Sequence, residues 1–150
     1  MAEEKKSSFP MLPVAHWWSL REKFKQSIPG VVTENYLATI LNIQANSARV
    51  NILPSLKTIG LIDSDGKTNQ ELAKAWRDDS NYAEVCKEIR ERIYPEDLFS
   101  AVPNPSEDKE AVKRWFANQT GSGVSAVNKM ASFYITLAKL IHQRNQKRKL

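Results

Sequence analysis

The sequence predicts a mainly α protein: a winged-helix-like N-terminal module with one small β-hairpin over residues 14–102, then a C-terminal helical pair over 103–142 and a basic tail over 143–150. Three observations carry that reading. Apolar residues recur at intervals of three and four along most of the chain, the period at which one face of a helix is buried. One stretch, Leu61 to Asn69, instead sets an Asp65-Gly66 pair between short runs, the composition of a tight hairpin turn. The 150 residues are 41% apolar, enough to bury a core in one domain or two small packed ones.

Residues 1–13 open with Glu3, Glu4, Lys5 and Lys6 and lack the apolar run of a secretion signal, so they read as a disordered lead-in. Trp17, Leu20, Phe24 and Ile28 then follow at helical spacing until Pro29-Gly30 stops the helix. Thr33 is placed to cap a second, short helix through Leu41, with Asn42-Ile43-Gln44 as the break after it. A third helix begins near Asn46 with Ala48, Ile52, Leu56 and Ile59 inward. Pro54 lies inside it and predicts a kink or two consecutive short helices, because proline removes a backbone bond and crowds the carbonyl four residues back. Gly60 closes the segment.

After the expected hairpin, Thr68 and Glu71 form a capping-box pattern that opens a helix carrying Leu72, Ala75 and Trp76. Tyr82, Val85, Cys86, Ile89 and Ile93 mark the inward stripe of the next helix, ended by Pro95, and a brief helix spans Glu96 to Val102. Pro103-Asn104-Pro105 reads as a linker and soft domain boundary. Ser106 is the expected cap of a helix bearing Val112, Trp115 and Phe116. A long last helix follows, with Val127, Met130, Ala131, Tyr134, Leu137, Ala138 and Ile141 on one stripe.

Composition and motifs narrow the function more by exclusion than by assignment. Cys86 is the single cysteine, so no intramolecular disulfide is available and a reducing, cytoplasmic setting is expected. No run of about 18 apolar residues predicts a membrane span. His16 and His142 have no neighbouring ligands at metal spacing, Cys86 sits on an apolar stripe, and phosphate-loop, nucleophile-elbow and zinc-protease motifs are absent. The expectation is a binding protein that is not an enzyme, with no cofactor and no small-molecule substrate.

Helix, turn, helix and hairpin in that order suggest a duplex-reading module. Its reading helix would hold Asn46, Ser47, Arg49 and Asn51, residue types able to bond base edges, with Lys57 and the wing's Lys67 toward phosphates. Charge is unevenly placed: residues 101–150 carry 9 Lys/Arg against 3 Asp/Glu, whereas residues 1–100 carry 13 against 14. Arg144, Lys147, Arg148 and Lys149 concentrate that charge in the tail, so a polyanion is the expected partner there. Gly121, Ser122 and Gly123, between two helices, could present N–H groups to a phosphate, although two glycines in a connector are more often only a turn. The alternative partner is a protein or a second copy of the chain. It stays open because the module itself is neutral and bears Asp63, Asp65, Asp78 and Asp79 near the wing.

Val14 to Trp18, Ile28 to Thr33, Leu53 to Asp63 with Asp65-Gly66-Lys67, Trp115 to Gly121 and Lys129 to Tyr134 together resemble a bacterial family known only as a domain of unknown function, over about residues 13–140. The resemblance implies a helical protein treated as one unit across Pro103. It implies no ligand or activity.

Overall fold

A computed structural model describes residues 9–149, with side chains described through residue 138. Helices α1 (Val14–Gln26), α2 (Glu34–Leu41) and α3 (Ala45–Ser47) lead into a π-turn at Ala48–Ile52 and then α4 (Leu53–Ile59). They are followed by α5 (Gln70–Arg77), α6 (Tyr82–Ile93), α7 (Glu96–Ala101), a 3-10 turn at Pro105–Glu107, α8 (Lys109–Thr120) and α9 (Val124–Lys149).

The expected β-hairpin is not present, and with it goes the winged-helix assignment. Among the described residues there is no strand, only two isolated antiparallel bridges, Val31 with Lys67 and Ile62 with Thr68. The reason is local. The Asp63 carboxylate accepts from the Asp65 and Lys67 N–H groups, both at 2.9 Å, and Gly66 takes a left-handed φ of 86°. The Asp-Gly pair therefore builds a compact side-chain-braced turn, and Asn69 starts the next helix before a ladder can extend.

Pro54 acts as its chemistry requires. It has no N–H for the Val50 carbonyl, and its ring would crowd that carbonyl in a regular helix. The turn before it widens, with Leu53 N–H donating to Ala48 O five residues back, and α4 restarts with the proline in its first turn. Caps differ in two places from the sequence reading. Thr33 accepts from Tyr36 N–H at 3.0 Å as its position suggests, but Asn69 rather than Thr68 caps α5, and Asp108 rather than Ser106 caps α8. Thr68 is buried, one residue too early to serve as a helix start.

The core is one cluster that crosses the proposed linker. Trp17 packs edge-on to Phe133 of α9 at 5.1 Å and against Trp76 of α5 at 4.9 Å, while its indole N–H donates to the Tyr82 hydroxyl at 2.7 Å. A second aromatic group joins Tyr94, Phe116 and Tyr134. Helix α9 packs on α8, α6 and α1, so the C-terminal pair is not a separate module in its packing. The lead-in also needs correcting over its described part. Phe9 stacks on Tyr94 at 5.4 Å and 7° and meets Trp115 and Phe116 edge-on, and Leu12 is fully buried. An aromatic ring outside any periodic element carries no pattern, yet it buries as much apolar surface as one inside a helix.

Helices α1 and α5 cap one another. Arg21 of α1 is buried, and its Nε donates to the Trp76 carbonyl at the end of α5 at 2.8 Å. Arg77 of α5 returns the bond to Phe24 O near the end of α1 at 2.9 Å. The last carbonyls of a helix lack internal partners and carry its negative dipole end, so a guanidinium is suited to both places. No helix among the described residues is long and apolar enough to cross a membrane.

Candidate binding cleft beside the π-turn

Helix α2, Asn42 in a left-handed turn at φ 57°, and the α3–α4 segment place the residues expected to read bases, but not on one face. Arg49 donates to the Asn46 amide oxygen and pairs with Glu34 on α2 at 3.8 Å. Asn51 donates to Ser47 Oγ at 3.2 Å, and both of these line a cleft on a different side, toward α1 and residues 9–13. Two residues apart on a helix point about 200° apart, which is why Arg49 and Asn51 separate. Arg49 is partly neutralised by Glu34, so it is not a bare cation on the surface.

Lys57 is exposed on α4, and Lys67 lies in the braced turn beside Asp63 and Asp65. The connector Gly121–Gly123 is a helix exit. Gly121 N–H donates to Ala117 O at 2.9 Å and Ser122 N–H to Thr120 Oγ1 at 3.1 Å, so two of the N–H groups a phosphate would need are already used. Arg144, Lys147, Arg148 and Lys149 fall outside the residues whose side chains are described.

The cleft that Ser47 and Asn51 line has a volume of about 190 Å³. Its apolar part comes from Met11 and Val50, 40% and 53% exposed, beside Pro54, the proline that forces the π-turn. Its polar part is Ser47, Asn51, His16 from the start of α1 and Lys129 from α9. Three separate pieces of chain thus converge here, residues 9–16, residues 47–58 and Lys129 of α9. The strap over residues 9–13 is held to α4 by Met11 N–H donating to Ser55 Oγ at 3.3 Å. Among the described residues, none that lines the cleft is acidic. A second groove, between α5 and α6, has the opposite character, with Glu71, Glu84 and Glu88 beside Arg92.

Away from the cleft, Cys86, Tyr82 and Tyr94 are buried in the core. Burial pushes the Cys86 thiol up to about 12, although its hydrogen bond with Tyr82 and the Arg90 and Arg21 charges act the other way. Burial likewise raises Tyr82 and Tyr94 well above the usual phenol range. These groups stay neutral at physiological pH and have no reactive form to offer. No group of three His, Cys, Asp or Glu among the described residues is placed to hold a metal ion.

The residues sequence reasoning missed are Met11, Val50, His16 and Lys129. Val50 carried a signal that could have been used: it is an apolar residue off the inward stripe of Ala48, Ile52, Leu56 and Ile59, and so has to face outward. Nothing local marks Met11 or Lys129, which reach the cleft only through tertiary packing. No curated protein and no solved structure matches the chain. A family model described as a family of unknown function (DUF5343) matches residues 19–147.

Proposed function

We propose, from the premise that this chain belongs to the DUF5343 family, that it works without catalysis, as a binding module that docks a protein partner at the cleft beside the π-turn. One observation carries the reading: Met11 and Val50, both exposed, line one cleft at the point where the helix is deformed, together with the polar Ser47, Asn51, His16 and Lys129. Apolar side chains in a rimmed cleft are the usual centre of a protein contact, and π-turns are frequent at functional positions. The face of Arg49 and Asn46 is less suited to reading a duplex, because its cation is paired with Glu34.

The test is site-specific photo-crosslinking in cells, with the reactive group at Val50 and, as control, at exposed Lys87 on α6. The expected result is a discrete protein adduct from Val50 that the Lys87 position does not give. Equal, diffuse labelling from both positions overturns the reading.

Nucleic acid is a second reading, supported by the 9 Lys/Arg against 3 Asp/Glu of residues 101–150. Each phosphate neutralised adds about 0.9 to the slope of log affinity against log salt on duplex DNA. Removing residues 143–150 should therefore flatten that slope by roughly two to four units on any two unrelated duplexes. An unchanged slope removes this reading.

A further inference from the structure

We infer that the segment taken by the cleft is an acidic peptide anchored by a single apolar side chain. The inference rests on the docking reading above and adds the chemistry of the partner. Size gives the first half of it: a space of about 190 Å³ is the scale of one large side chain, not of a helix face. Its apolar floor at Met11, Val50 and Pro54 suits an aliphatic or aromatic anchor.

Charge gives the second half. Lys129 is exposed and His16 half-buried, both line the cleft, and no acidic residue stands among the described residues that line it. Asn51 and Thr58 contribute polar groups of either sense. Among the described lining residues, a carboxylate flanking the anchor would meet a lysine and no acidic group, whereas a basic flank would meet Lys129. Such complementarity selects partners and register more than it adds raw affinity. The groove between α5 and α6, with its three glutamates, supplies an internal contrast, since the same acidic segment would be repelled there.

The experiment measures fluorescence anisotropy of three labelled, blocked hexapeptides against the full chain: Glu-Glu-Leu-Phe-Glu-Glu, Ser-Ser-Leu-Phe-Ser-Ser and Lys-Lys-Leu-Phe-Lys-Lys. The acidic peptide should bind best and the basic one worst. Lys129→Glu should weaken the acidic peptide by roughly three- to fivefold and leave the neutral one within about twofold, the upper scale of exposed charge pairs. Val50→Asp should weaken all three. Both positions are exposed, so both variants retain the core.

Equal binding of the three peptides, lost in Val50→Asp, leaves the docking reading standing and overturns the acidic one. Failure of the acidic peptide to bind while Val50 still crosslinks to a protein does the same. An adduct identified as a second copy of this chain overturns the inference in favour of self-association. If neither peptides nor crosslinking engage the cleft, both readings fall.

Discussion

Replacing Arg21 by Met removes a guanidinium that is buried between two helix ends and leaves a side chain of similar length in its place. The main interactions lost with it are the bond to Trp76 O at 2.8 Å, the pair with Asp79 at 2.9 Å, and the stacking of the guanidinium over the Tyr82 ring at 4.1 Å, with a long bond to Arg77 O at 3.5 Å beside them. The first is a charge-assisted bond, worth about 1.5–3 kcal/mol, and its loss leaves a helix-end carbonyl without its donor. The second adds no more than about 1 kcal/mol, because the Asp79 side chain is 52% exposed. Stacking over the ring adds roughly 1 kcal/mol. Opposing all three is the cost of keeping a guanidinium out of water, several kcal/mol per buried ion, which methionine does not incur. The expected net loss is about 2 kcal/mol for Arg21→Met and about 4 kcal/mol for Arg21→Ala, where an added cavity accounts for the difference. Asp79→Asn should cost under about 1 kcal/mol. Urea unfolding monitored by tryptophan fluorescence, with the denaturant slope unchanged, reads all three. An Arg21→Met protein as stable as the parent or more so would refute the reasoning, since desolvation would then outweigh mutual capping of α1 and α5.

Phe9→Ala should lower stability by about 3 kcal/mol, because the ring contacts three aromatic neighbours, and a loss under about 1 kcal/mol in the same unfolding assay would show that the strap is not part of the core. Gly60 and Gly121 both sit at left-handed φ, 93° and 69°, but only at Gly60 would a Cβ meet the Arg92 guanidinium, at 3.2 Å. Gly121→Ala is therefore expected to cost about 1 kcal/mol and Gly60→Ala about 2 kcal/mol, and equal costs in thermal unfolding would count against the Arg92 contact. Cys86 should react with a thiol reagent only after denaturant is added. Its raised thiol favours the neutral form in the fold, so that stability is full below pH 9 and declines as pH rises toward 12, by up to about 4 kcal/mol. Cys86→Ala should flatten the decline, and an unchanged pH profile would assign it to the buried tyrosines instead.

Residues close together in sequence carried most of the helical layout. The stripes of Trp17, Leu20 and Phe24, of Tyr82, Val85, Cys86 and Ile89, and of Val127, Met130 and Tyr134 are all inward in the structure, because a period of 3.6 ties spacing directly to burial. Pro54 and Gly60 also acted where they stand, since what each does to the backbone depends on its own ring or missing Cβ. The hairpin failed for a reason that lies outside its turn signal. Asp65-Gly66 specifies a reversal of the chain, and Asp63 N–H to Lys67 O and Asn69 N–H to Leu61 O do close one bridge across it, but α5 begins at Gln70, capped by the Asn69 side chain, so the pairing stops at that single bridge.

The candidate site was half legible. Ser47 and Asn51 were named, but as base readers alongside Arg49, and only the packing of α2 against the π-turn assigns Arg49 to Glu34 and Asn51 to the cleft. By itself the sequence determined the helices, their inward stripes and the deformation at Pro54, all of which follow from bonds and spacings within a few residues. The tertiary structure alone decided that Phe9 belongs to the core and that Met11, His16, Val50 and Lys129 meet at one cleft. The strap with the start of α1, the π-turn and α9 meet only in the folded chain, and no local periodicity encodes where a side chain stands relative to a partner thirty or more residues away.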